Sequence, residues 1–275
     1  MNLNFKKACS DVFSLKYIWI YVFFAAVIGT LSSIFQSAEG IPYHKALSNI
    51  VSVFTYIATG YLLIMVNNLL HENNLNNENE NFWQNLLNST KKGFKCFFGT
   101  LLNTLIVFFF GAIIALAFVL IFMAVTHIAI TENNILSFPF LKITLGLLAI
   151  VLMIFMLFIL KLLPIAYAEE FSIKAMFRWK KVFKVFFLQN NAKKTFCIIG
   201  LYIISELIIF LTMFLLMFAF NIAFIFLAKS LLATHYVLTA FLINISSVMI
   251  PFLGAIAHYL LISIIFNMLT YVYKK

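Results

Sequence analysis

The chain has 275 residues, of which 64% are hydrophobic, 17% aromatic and 10% charged, and its mean hydropathy is +1.05. So much apolar surface excludes a water-soluble domain and predicts an all-α integral membrane protein. The formal charge of +10 lies in loops and beside apolar runs, which points to membrane lipids, anionic ones in particular, and excludes nucleic acid as a partner.

In residues 1–15, Phe5, Val12, Phe13 and Leu15 are mixed with Lys6, Lys7, Asp11 and Ser14, a composition suited to a short interfacial lead-in. The apolar run at about 16–35 follows two lysines, as in a signal peptide. It is as long as a full span and no small-x-small site closes it, so it reads as a retained first helix. A loop at 37–45 holds Glu-Gly-Ile-Pro, and a second span covers about 46–66.

Residues 67–81 are dense in Asn and Glu and cannot sit in hydrocarbon. Behind them a period of about 3.6 residues puts Phe82, Trp83, Leu86, Leu87, Phe94 and Phe97 on one face and Asn85, Asn88, Ser89, Lys92 and Lys95 on another. This predicts an amphipathic interfacial helix ahead of a third span at about 97–125. The fourth span, about 138–163, leads through Pro164 into the most distinctive part of the chain.

That part is 161–194. Ala175, Met176, Trp179, Val182, Phe183, Phe186 and Phe187 fall on one side of a helical projection, and Lys174, Arg178, Lys180, Lys181 and Lys184 on the other. The pattern predicts a second, more basic amphipathic helix lying on a membrane surface. Glu169 and Glu170, just ahead of it, are expected to favour its N-terminal end through the helix dipole. Two apolar runs of some 35 residues follow, at about 195–228 and 236–273. At 1.5 Å per residue each reaches about 50 Å, where a bilayer core of about 30 Å needs about 20 residues, so tilt or a kink at Pro251 must absorb the excess.

Only Lys45, Lys142 and Lys229 fall on one side of this six-span arrangement, leaving the other sixteen of the 19 basic residues on the opposite side. The positive-inside rule then puts the N- and C-termini and both amphipathic helices in the cytoplasm, and the protein in the cell membrane as a multi-pass chain. Residues 1–275 read as a single membrane domain. The order span, amphipathic helix, span occurs twice, which suggests pseudo-repeat halves at 1–126 and 138–275. Cys9, Cys96 and Cys197 all come at cytoplasmic ends of spans, where reduced, structural thiols are expected.

Polar side chains within the spans need a partner. Glu206 lies twelve residues beyond Lys194, about 18 Å along the helix, and His258 sixteen residues before Lys274, about 24 Å from that end. Their depths overlap. Either they pair between the fifth and sixth spans, or each bonds separately to groups such as Tyr202 and Ser247. Ser247, Pro251, Gly254 and His258 form a small-or-polar stripe suited to close helix packing, and Asn103, Asn221, Asn244 and Asn267 are single amides suited to interhelical bonds.

Residues 82–95, with Trp83 and Gly93, and residues 164–178, with Pro164, Tyr167 and Glu169, resemble the two recurring patterns of a bacterial and archaeal membrane family catalogued as domain of unknown function 4013. The second pattern runs Pro, Ala-x-Tyr, acidic-Gly, Ala-Phe. Here Phe171 stands in place of the glycine, and Asn-rich sequence replaces a proline before Trp83. The resemblance implies the membrane architecture and brings no established activity.

Catalytic patterns do not occur. His71-Glu72 lacks the second histidine of HExxH, and there is no phosphate-cradling glycine loop, CxxC or G-x-S-x-G. No enzymatic activity, cofactor or metal is therefore expected. The chain reads first as a lipid-interacting or scaffold protein of the cytoplasmic leaflet, with an unidentified protein partner or a second copy as further company. The alternative is a transporter or permease subunit that uses Glu206 and His258.

Overall fold

The computed structural model describes residues 5–37, 43–73, 81–126, 139–188, 191–231 and 236–274. Among these residues the secondary structure is helical and contains no strand. The elements are α1 (Phe5–Phe13), α2 (Ile18–Ser37), α3 (His44–Val53), α4 (Thr55–Leu70), α5 (Phe82–Thr126), α6 (Pro139–Glu170), a 3₁₀ turn (Ile173–Phe177), α7 (Trp179–Phe183) continued by a π turn (Lys184–Leu188), α8 (Ala192–Leu231) and α9 (Tyr236–Tyr273). Five stretches are long and apolar enough to cross a membrane: Ile18–Gln36, His44–Leu70, Phe82–Ala124, Ala192–Ala223 and Val248–Tyr273. α6 is a further helix of 32 residues, rich in Leu and Ile.

Among the described residues, one end of the bundle gathers most of the polar bonds between helices. There the Asn67 amide on α4 donates to the Ala168 carbonyl of α6 at 2.7 Å, and the Tyr273 hydroxyl of α9 donates to Glu169 at 2.7 Å. Lys274 reaches Glu72 at 2.8 Å, Asn191 donates to the Val272 carbonyl, and Asn267 to the Ala8 carbonyl of α1. Large fully buried side chains lie towards this end, among them Leu62, Leu63, Ile165, Tyr167, Phe186 and Ile265. Farther along, α5 and α8 turn large apolar residues outward, with Phe108 65% and Phe210 66% exposed. That surface suits hydrocarbon, which solvates it at no cost in water structure.

Several expected elements take another form. The second span is one apolar stretch, His44–Leu70, with a turn at Phe54, whose amide bonds back to Val51, so α3 and α4 meet end to end within it. The interfacial helix expected at 82–97 is not separate: it is the first part of the 45-residue α5. Its buried face mixes both kinds of residue: Asn85, Ser89, Gly93 and Cys96 are buried and Leu86 and Phe94 pack on the core, while Trp83 and Leu87 are 75% and 71% exposed and Asn88 and Lys95 are exposed too. The reason is bonding: the Tyr21 hydroxyl on α2 donates to Asn85 at 2.8 Å and lies 3.1 Å from the Ser89 hydroxyl, so polar side chains close the α2–α4–α5 contact.

The basic helix expected across 174–187 is likewise not continuous. Arg178, at φ −82° and ψ 51°, breaks it between the 3₁₀ turn and α7. The two-sided pattern survives the break: Ala175, Met176, Val182 and Phe186 are buried, and Lys174, Arg178, Lys180, Lys181 and Lys184 are exposed. Its apolar side is used against the bundle rather than left open. Pro164 does not end α6 either; the helix passes through it and continues to Glu170.

Candidate functional site

Two places hold the residues singled out in the sequence. The first is the polar end of the bundle. Gly60 of α4 and Gly93 of α5 let these helices cross backbone to backbone, for a Cβ on Gly93 would stand 1.8 Å from the Tyr56 carbonyl oxygen. Beside the crossing, Tyr167 donates to the Lys92 carbonyl at 3.1 Å, and the Lys92 ammonium sits 3.8 Å from the centre of the Phe171 ring. Pro164 is buried one turn before Tyr167. Gly93, Pro164, Tyr167, Glu169 and Lys92 are thus brought together. Trp83 is not: it lies at the exposed start of α5, edge-on to Phe82.

Phe171 has φ 48°, in the left-handed region. It terminates α6, its amide bonding to the Tyr167 carbonyl at 2.7 Å. A helix often ends on such a residue, and glycine adopts it without strain. This gives a physical reason for glycine in the pattern that the sequence resembles. Here the Lys92 ammonium and the edge of Tyr167, at 5.8 Å, hold the phenyl ring in its place.

The carboxylates that close α6 tie down the basic segment. Glu169 accepts from Lys181 at 2.7 Å and from Tyr273, while Glu170 pairs with Arg178. Both acids therefore sit at the C-terminal end of α6 and work as ion-pair partners, which replaces the expected dipole role at a following helix. Burial pushes the Glu169 carboxyl up, but the bonds from Lys181 and Tyr273 and the charges of Lys181 and Arg178 outweigh it and hold the group below the ordinary value of 4.5. On the other side of the segment the Trp179 indole donates to the buried Asn103 at 2.7 Å, and Asn103 in turn donates to the Gly99 carbonyl. Met176 packs on Gly99. Lys174, Lys180 and Lys184 stay exposed and enter none of the ion pairs among the described residues. Lys95 is exposed as well.

The second place is in the long helices. His258 Nδ1 and Glu206 Oε1 are 2.6 Å apart, joining α9 to α8. Tyr202, one turn earlier on α8, has its hydroxyl near Glu206. The Lys161 ammonium of α6 lies 4.2 Å from the centre of the Tyr202 ring and within electrostatic reach of Glu206. Of the two expected arrangements, the structure shows the direct Glu206–His258 contact. Lys161, counted with the loop lysines in the sequence, belongs instead to this interior group. The stripe on α9 is a packing face where Gly254 meets Met213 of α8 at 3.5 Å from a built Cβ. The side chains of Ser247 and Asn244 lie outside the described residues. Among the described residues no three His, Cys, Asp or Glu side chains are grouped to hold a metal ion.

Sequence reasoning missed the roles of Gly60, Lys161 and the Trp179–Asn103 bond. Each depends on which helices are neighbours, and single residues at isolated positions carry no spacing signal for that. The family described as Protein of unknown function (DUF4013) matches residues 45–218, more than half of the chain, and this range spans the α4–α5 crossing and the polar end of α6. No curated protein and no solved structure matches it.

Proposed function

The chain belongs to the DUF4013 family, and we propose that it is a non-enzymatic multi-pass membrane protein whose basic segment holds anionic lipid head groups at the cytoplasmic leaflet. In this reading α2, α3–α4, α5, α6, α8 and α9 make six crossings. The polar end that carries both termini faces the cytoplasm, in keeping with the fifteen-to-three distribution of basic residues that is left once Lys161 is placed in the interior.

One observation carries the reading. The segment 173–187 buries its apolar side in the bundle and pins itself through Trp179, Glu169 and Glu170, so Lys174, Lys180 and Lys184 are presented outward without carboxylate partners. Three such lysines at a leaflet surface supply about 1 kcal/mol each towards anionic lipid. Lys95 lies on α5, which packs against the 3₁₀ turn, and adds a further charge.

The test uses full-length protein reconstituted in vesicles of phosphatidylcholine with one-fifth phosphatidylglycerol and then extracted in mild detergent. The phosphatidylglycerol retained per protein is measured by mass spectrometry. Changing Lys174, Lys180 and Lys184 to Gln should reduce that enrichment at least about fivefold and leave phosphatidylcholine unchanged. Equal retention of phosphatidylglycerol by the variant would sink the reading.

A further inference from the structure

We propose that Glu206 and His258 together form a proton-binding site inside the membrane-spanning part of the protein. The site is independent of the basic segment. It rests on three helices that converge at one depth: α8 brings Tyr202 and Glu206, α9 brings His258, and α6 brings Lys161.

The geometry suits one shared proton. The 2.6 Å separation between imidazole Nδ1 and carboxylate Oε1 is a charge-assisted hydrogen-bond length. When the imidazole takes up a proton, imidazolium faces carboxylate across this bond. Moving the Nδ1 proton to Oε1 leaves a neutral imidazole beside a neutral carboxylic acid, and no other bond changes. Return of the shared proton to Nδ1 and loss of the added proton from Nε2 restore the starting pair. Tyr202 stands one turn from Glu206 on α8, and the Lys161 ammonium lies 4.2 Å from the centre of its ring, so a second polar group flanks the pair.

The surroundings leave these groups to one another. α2 and α4, which also pack on α9, contain no Asp, Glu, Lys, Arg or His, and the charges of α1 meet α9 at its far end, where Asp11 bonds Tyr271 and Lys7 lies over the same ring. They meet α9 through rings and small residues: Phe23 lies against Phe252, and the Tyr259 hydroxyl is bound to the Ala58 carbonyl. The π turn meets α8 nearer its start, where Phe187 packs on Phe196. Neighbours on the outer surface of α8 are apolar, with Ile203, Ile204, Leu207 and Ile208 exposed. The side chains of His258 and Glu206 are themselves 47% and 27% exposed, so the site opens at the side of the α8–α9 pair rather than being sealed in the core. A carboxylate placed at this depth is costly unless its charge is matched. A pair that exchanges one proton meets that requirement and provides the chemistry by which a membrane protein couples a conformational change, or a co-transported solute, to a proton.

The experiment is infrared difference spectroscopy of the full-length protein in phosphatidylcholine vesicles, titrated from alkaline to acidic pH. A protonated-carboxyl band is expected that is absent in Glu206→Gln, and whose midpoint moves by about half a pH unit or more in His258→Gln. If Glu206→Gln shows the same bands as the unaltered protein, the site does not exist. If the midpoint is the same in His258→Gln, the proton is not shared. Should Glu206→Gln fail to fold, His258→Gln alone decides, because an unmoved set of carboxyl bands in that variant overturns the proposal.

Discussion

Gly60 and Gly93 face each other where α4 crosses α5, so close that a Cβ on Gly60 would lie 2.7 Å from the Gly93 amide nitrogen and 1.9 Å from the Ser89 carbonyl oxygen. Both obstructing atoms belong to backbone and cannot swing aside. Gly93→Ala or Gly60→Ala must therefore separate the helices, which should cost at least about 1–3 kcal/mol, the usual price of overpacking. Thermal unfolding in detergent micelles would register this as a lower midpoint. An unchanged midpoint in both variants would mean that the helices do not cross there.

Phe171 combines a left-handed backbone with a ring held by Lys92 and Tyr167. The backbone costs about 1–2 kcal/mol for a residue with a Cβ, and the cation–ring contact returns about 0.5–1 kcal/mol. Phe171→Ala keeps the cost and loses the contact, whereas Phe171→Gly loses both. The glycine variant should accordingly be more stable than the alanine variant by about 1 kcal/mol, measured by unfolding midpoints in the same detergent.

Trp179 and Asn103 join the basic segment to α5. Trp179→Phe keeps most of the ring and removes the indole N–H, leaving the buried Asn103 oxygen without its donor. The loss is expected to be about 1–3 kcal/mol, concentrated in the docking of this segment. Limited trypsin digestion should cut after Arg178, Lys180 or Lys181 faster than in the unaltered protein. Equal cutting rates would show that the bond does not hold the segment down.

Glu169 is held below its ordinary value by its bonds and neighbouring charges despite partial burial, so its ionised form stabilises the folded state. That contribution is fully present above the ordinary carboxylate value of 4.5 and is lost as the pH falls through the lower value of the folded protein. Stability followed from pH 7 downward should begin to drop below about 4.5, and Glu169→Gln should be less stable at neutral pH and show a shallower acid loss. Parallel pH curves for the two proteins would rule this out.

The interior pair shows how far spacing alone can reach. Counting residues from the charged ends put Glu206 and His258 at overlapping depths because helix rise is fixed, and the two do meet. Lys161 escaped the same reasoning because a lysine at the edge of an apolar run looks like a loop charge. Only the placement of α6 beside α8 brings it to Tyr202. The segment 82–97 shows the opposite outcome. It was expected as a separate interfacial helix, yet it is the start of α5, and the Tyr21 hydroxyl of α2 draws Asn85 and Ser89 into the bundle.

By itself, the sequence determined the class of the protein, its long apolar helices, the two-sided character of 174–187 and the depth of Glu206 and His258. These follow from composition and from the fixed 3.6-residue period and 1.5 Å rise, which are properties of one helix at a time. The tertiary structure decided which face of α5 is buried, where the basic segment breaks, why Phe171 carries a left-handed backbone, and that Lys161 and Tyr202 join the interior pair. Those outcomes are set by contacts between helices far apart in the chain, where the better set of hydrogen bonds and the closest backbone approach prevail over local pattern.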